Sequence, residues 1–181
     1  MDRTPLETPR LHLRPREADD CEDLVALDLD LRSVRYIFPD GPPEPDALRR
    51  RHESGIAAGW LQTGGFWIVE WKERRGMLGW CALFPLEDSG FIEIGYRYLR
   101  KAWGQGVASE AAAVVLAHGF DALAIDPIVG VTHPDNRASQ RVLEKVGLVR
   151  DGTAFHYGHD LPFFRLDRAG YEQRKAEQEP V

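Results

Sequence analysis

The stretch from Phe91 to Phe120, FIEIGYRYLRKAWGQGVASEAAAVVLAHGF, decides the fold. Ile92, Ile94, Tyr96 and Tyr98 alternate with Glu93, Gly95 and Arg97 at strand period, and Trp103-Gly104-Gln105-Gly106 interrupts them. Ala108, Ala112, Val115, Leu116, Gly119 and Phe120 then recur at helical spacing. Such a turn aims the unpaired N–H groups of a helix start at whatever lies in front of it, an anion site suited to phosphate. An ordinary tight strand-to-helix connection would use the same glycines. A dinucleotide fold can be tested within the sequence: its fingerprint wants a third small residue where Ser109 stands and an acidic residue about twenty positions on. Asp126 sits at that distance, but it precedes the apolar run Ile128 to Val131 instead of following it, the wrong place for a ribose contact.

Further along, residues 133 to 148 read HPDNRASQRVLEKVGL, a loop, a helix and a closing glycine. This segment resembles the Asn-x-x-Ser helix of the GNAT superfamily of N-acetyltransferases. EIGY…WGQGVASEA resembles that superfamily's acetyl-coenzyme A motif, in the form carried by the branch that acetylates ribosomal-protein N-termini. The resemblance implies an α+β GNAT fold, with a mixed and mostly antiparallel central sheet of about six or seven strands flanked by helices, and with splayed central strands. It implies an enzyme that moves the acetyl group of acetyl-CoA directly to a primary amine, a protein N-terminus or a small molecule. The alternative is a protein of the same fold that binds coenzyme A without catalysis, as a sensor or interaction module.

Composition bounds the rest. A chain of 181 residues, 43% hydrophobic, suffices for one domain with its own core, spanning residues 1–181. No apolar run approaches membrane-spanning length and MDRTPLETPR is charged with no hydrophobic segment behind it, so a cytoplasmic protein without membrane partner is expected. Cys21 and Cys81 are isolated, which suits buried thiols without a redox role. The net charge of −6, and the lack of a basic run with interleaved aromatics, argue against nucleic acid and mildly favour a cationic amine. Yet Arg97, Arg100 and Lys101 crowd the glycine turn and Arg137, Arg141 and Lys145 follow on the next helix, either facing a cofactor or forming a solvated face. The assembly stays open, a homodimer included.

Leu11 to Pro15 alternates as a first strand, and Asp19 or Asp20 can cap a helix with the stripe Leu24, Leu27 and Leu31. After the loop Asp40 to Pro45 comes a polar helix over about residues 46–58. Phe66 to Trp71 and Met77 to Phe84 read as a hairpin around Lys72 to Gly76, with a bulge signalled at Gly79-Trp80. A second hairpin turns at Gly158-His159-Asp160, between Ala154–Tyr157 and Pro162–Leu166, and residues 172–181 read as a frayed tail.

The resemblance distributes roles residue by residue. A coenzyme A pyrophosphate would lie on the backbone of Gly104, Gln105, Gly106, Val107 and Ala108, near Lys101 and Lys145; Trp103 packs under this loop, and Ser109 binds phosphate or caps the helix. Tyr98, with Tyr96 nearby, sits where strand backbone pairs with the pantetheine arm, and Asn136 fits both a contact to that arm and a helix N-cap. Glu93 is the first candidate for a general base, since a carboxylate beside an apolar pocket has its pKa raised; pairing with a neighbouring Arg is the other reading. His133 is the second candidate, or a solvated loop histidine. The family's usual thiolate-protonating tyrosine falls at Leu143, which cannot act as an acid, so Ser139 is the candidate donor unless it is a buried small residue bonded to backbone. Tyr36, Phe38, Trp60, His133 and Tyr157 are candidates for the acceptor side, against plain core packing. His156 and His159 form an HxxH pair without a third ligand, and no metal is expected.

Overall fold

A computed structural model describes residues 4–57 and 64–178. Its strands are β1 (Leu6–Glu7), β2 (Leu11–Pro15), β3 (Gly65–Trp71), β4 (Arg74–Pro85), β5 (Ile92–Tyr98), β6 (Ile128–Val131), β7 (Val149–His156) and β8 (His159–Leu166). They form one mixed sheet in the order β1-β2-β3-β4-β5-β6-β8-β7, antiparallel throughout except for β5 beside β6. The described sheet thus has eight strands where six or seven are expected. The extra edge strand, Leu6–Glu7, is two residues long and too short to show alternation.

The helices are α1 (Cys21–Leu29), α2 (Leu31–Val34), α3 (Pro45–Ala57), α4 (Val107–Asp121), α5 (Arg137–Lys145) and α6 (Arg168–Gln178). Helix α4 packs on one face of the sheet over Cys81, Leu83, Ile94 and Ile128, with Leu143 of α5 in the same core; α1 packs Leu24 and Leu27 on the other face against Phe66, Ile68 and Ala82. Burial of this apolar surface is the main stabilising contribution. A Cβ added at Gly119 would lie 2.7 Å from Ile128 and 2.8 Å from Leu83, so α4 approaches the sheet this closely because that position has no side chain. Ala111 and Ala112 are buried as well, whereas Ala113 faces outward.

Four local expectations change. The apolar stripe of α1 ends at Leu27: Asp30 turns extended and accepts the Arg32 N–H at 3.1 Å, starting α2, so Leu31 is exposed. Asp20 stands at the N-cap of α1, but its carboxylate accepts the Glu17 N–H and pairs with Arg14 instead of bonding the helix. The first hairpin turns within Lys72-Glu73, because β4 begins at Arg74; Gly79 and Trp80 pair regularly with Val69 and Ile68, and the register shifts next to them, on either side of the Glu70↔Met77 pair. The expected frayed tail is helix α6 as far as Gln178. Asp126 accepts the Arg168 N–H at 2.9 Å and Tyr171 stacks on Phe120 at 4.6 Å, tertiary contacts that a charged segment does not advertise.

Two features position the site. β5 and β6 pair at Ile92↔Ile128 and Glu93↔Val129 and then part, which opens the expected splay at the centre of the sheet. The second hairpin turns at Tyr157-Gly158, since His156 already pairs with His159, so Tyr157 stands at the tip instead of in a strand.

Candidate active site

The glycine turn forms the expected cradle. Gly104 and Gly106 have φ of 70° and 77°, the left-handed region that side chains disfavour, and a Cβ at Gly104 would meet open space. Gly106 is the N-cap of α4 and offers no side-chain cap; Glu110 N–H is the donor to its carbonyl, so the N–H groups of Val107, Ala108 and Ser109 precede the helix ladder. Ser109, at the third helical position, lies past the cap, and its capping reading falls away. Trp103 is 45% exposed and donates its indole N–H to the Tyr98 carbonyl at 2.8 Å, tying the loop to the end of β5. Gln105 donates its side-chain amide to the Lys101 carbonyl at 2.5 Å, and Lys101 itself is exposed. Tyr98 buries its side chain in the core, so only its backbone can serve the site.

A groove of about 480 Å3 runs from this loop along α4, lined by Gly106, Ser109, Lys145 and Tyr171 together with Arg10 and Arg174. Arg10 is a site residue that sequence reasoning misses: it bonds the Gln105 carbonyl at 3.0 Å and pairs with Glu110 at 2.5 Å, bracing the loop from a turn 95 residues away. Its only sequence signal is a basic residue before the first strand. The glycine φ values, the free helix start and the basic groove suit a phosphate-bearing ligand such as the nucleotide end of coenzyme A.

On the α4 face of the splay, the Tyr96 phenol lies 3.0 Å from Ser139 Oγ and 3.1 Å from the Ser139 carbonyl. Burial pushes the Tyr96 phenol upward in pKa, keeping it protonated. Ser139 is therefore bonded to another hydroxyl across the splay. Asn136 is the N-cap of α5, accepting the Ser139 N–H at 3.2 Å, which bears out the capping reading. Leu143 is 1% exposed and packs on Gly130, inside the core.

The opposite face collects the acceptor-side candidates. Glu93 is 4% exposed; burial is the main cause that raises its pKa to about 8, with Glu87 adding to the rise and the Tyr157 hydroxyl, which donates to Glu93 Oε1, opposing it. Its partner is thus a phenol, and the expected pairing with an arginine belongs to another carboxylate: Arg97, on the same face of β5, pairs with Asp28 of α1. Asp28 also bonds His52 of α3 at 3.0 Å. Phe38 lies over the Arg97 guanidinium at 5.8 Å. Tyr36 stacks on His133 at 5.0 Å and donates its hydroxyl to the Asp135 carbonyl at 3.1 Å. His133 accepts the Asp135 N–H at its Nδ1, so that nitrogen is engaged locally. Trp60 lies outside the described residues. His156 bonds Glu87 at 2.9 Å, and no group of three metal-ligating side chains occurs among the described residues.

A glycine cradle at the start of α4, beside a central sheet whose strands part just after the buried Glu93, is the architecture of an acyl transferase. The chain belongs to the GNAT acetyltransferases: residues 10–149 match the family described as "Acetyltransferase (GNAT) domain". It is 37% identical over 148 residues to the uncharacterized N-acetyltransferase YnaD of Bacillus subtilis, covering 81% of this chain and 84% of the relative. Among solved structures it shares its fold with spermidine N-acetyltransferase from Vibrio cholerae, in complex with CoA and spermine (19% identity, 91% and 99% coverage, TM-score 0.75). It also shares it with AAC(6')-Ib, in complex with ribostamycin and coenzyme A (15% identity, 94% and 99% coverage, TM-score 0.78). No described helix is long and apolar enough to cross a membrane.

Proposed function

We propose that this acetyltransferase carries the acetyl group of acetyl-CoA to a primary amine, with Glu93 as the general base. The observation that carries the reading is the buried Glu93 carboxyl at the last paired residue before β5 and β6 part, with its pKa raised to about 8. A base near working pH is matched to removing the proton of an ammonium group. Acetyl-CoA supplies an activated acyl group. The N–H groups of Gly104 to Ala108 hold its pyrophosphate, and Lys145 and Arg174 face the groove beyond them. Pantetheine runs into the splay along β5, toward Glu93.

Glu93 takes the proton that the acceptor nitrogen loses, and the nitrogen lone pair forms the new C–N bond as the C–S bond breaks. Backbone N–H groups of β5 stabilise charge on the carbonyl oxygen. The sulfur leaves with the bonding electrons and takes up the second proton that the nitrogen loses on forming the amide, relayed through the Ser139 hydroxyl, which the Tyr96 phenol backs at 3.0 Å and which ends neutral as it began. That pair offers a hydroxyl source where Leu143 offers none.

The acceptor is a protein N-terminal amine or a small amine. Spermine and ribostamycin in the folds of similar shape support a small polycationic amine, and the net charge of −6 favours a cation. The test is release of free thiol from acetyl-CoA in the presence of polyamines, aminoglycosides and N-terminal peptides, beside Gly106→Glu as a blocked control. Amine-dependent release that vanishes in the control supports the reading. Thermal stabilisation by acetyl-CoA with no release for any amine would instead favour a coenzyme A sensor, and the absence of both signals would refute acetyl-CoA use.

A further inference from the structure

Tyr157 stands in a backbone conformation that tyrosine disfavours. It is the first central residue of the two-residue turn between β7 and β8, at φ 53°, followed by Gly158 at φ 79°. That turn is normally supplied by Asn-Gly or Asp-Gly. A second non-glycine residue with positive φ, Glu87 at 46°, lies in the turn between β4 and β5. The two strained residues meet. Glu87 Oε2 accepts the Tyr157 N–H at 3.1 Å and the His156 Nδ1–H at 2.9 Å. From that anchored turn, the Tyr157 side chain reaches inward and its hydroxyl donates to Glu93 Oε1.

The geometry points to Glu87 as a positioning residue for acetyl transfer: one carboxylate oxygen clamps the β7–β8 turn, so that the Tyr157 phenol is delivered onto the Glu93 carboxylate. The inference rests on the reading of Glu93 as the base. Strain of this kind persists where surrounding contacts over-determine it, and here a bond to the backbone of Tyr157 and another to its phenol do so. The charged and titratable groups that bear on this pair are Glu87 from the β4–β5 turn, His156 from β7 and Arg51 from α3, whose charge acts on Tyr157. On β5 itself, Arg97 is held by Asp28.

The experiment compares the pH dependence of kcat/KM for the wild type, Tyr157→Phe, Glu87→Ala and Glu87→Gln. The phenol stabilises the charged form of Glu93, so Tyr157→Phe is expected to move the acid limb upward by about one unit, roughly a tenfold loss on that limb. Both Glu87 variants remove a charge that raises the Glu93 pKa and so share a small downward shift; on top of it Glu87→Ala should move the limb upward by releasing the phenol, whereas Glu87→Gln, which keeps an acceptor oxygen, should not. In the Tyr157→Phe background Glu87→Ala and Glu87→Gln should shift the limb alike, because only the Glu87 charge is then left to lose. Titration of 13C-labelled glutamate by NMR, assigned with Glu93→Gln, reads the same shift without turnover. If Glu87→Ala and Glu87→Gln move the Glu93 titration alike while Tyr157 is present and Tyr157→Phe shifts it, the positioning role is overturned. An acid limb that survives in Glu93→Gln would refute the base assignment instead, and the NMR shifts would still decide the role of Glu87.

Discussion

Glu93 carries opposite consequences for activity and stability. Its folded-state pKa of about 8 lies above the ordinary carboxylate value, so the native state holds this proton more tightly than the unfolded chain does. Stability is therefore lost as pH rises from the unfolded value of about 4.3 to the folded one near 8. Glu93→Gln should lower kcat by roughly 10²- to 10⁴-fold and yet raise the unfolding midpoint at pH 8, by the equivalent of a few kcal/mol. Urea denaturation at pH 5 and pH 8 checks this: the variant's advantage must shrink at the lower pH. Asp28 behaves in the reverse sense. Burial works to raise its pKa, but the His52 bond and the Arg97 charge outweigh that and hold it below its usual value. Its contribution is present above the unfolded pKa of about 3.9 and is lost as pH falls through the folded one. Asp28→Ala strands the buried Arg97 guanidinium and should cost about 3–5 kcal/mol in the same urea experiment.

At the scale of elements, the start of α4 and its packing against the sheet are separable. Gly106→Glu places a carboxylate and a Cβ on a residue at φ 77°, where the helix start offers its N–H groups. Thermal stabilisation by acetyl-CoA should disappear in this variant while the fold persists, since a Cβ there meets only Arg10 Nη2 at 3.5 Å. Gly119→Ala is the converse. The added methyl collides with Ile128 and Leu83, so it should cost about 1–3 kcal/mol by overpacking, read from chemical denaturation, without removing the cradle.

For the whole molecule, a net charge of −6 coexists with a groove lined by Arg10, Lys145, Arg174 and Lys175. Binding of acetyl-CoA should weaken as ionic strength rises, because the groove cations are solvent-facing and screened over about 10 Å at 0.1 M salt. Arg10→Ala should raise KM for acetyl-CoA more than it changes kcat, since Arg10 braces the loop without facing the reacting atoms. Steady-state kinetics at two salt concentrations check both statements.

How much of this was legible follows from the range of the forces. The glycine cradle, the alternation of β5, the periodicity of α4 and the cap at Asn136 rest on backbone preferences within a few residues, so the sequence by itself determined them. The two motifs in order also determined the family and its fold. Only the tertiary structure decided that Glu93 meets the Tyr157 hydroxyl, that Arg97 belongs to Asp28, and that the charged end of the chain is a helix docked through Tyr171. Those contacts join residues from tens of positions apart. Their partners are chosen by which face of the sheet each side chain occupies and by the cost of burying a charge unpaired, and neither is written in local spacing.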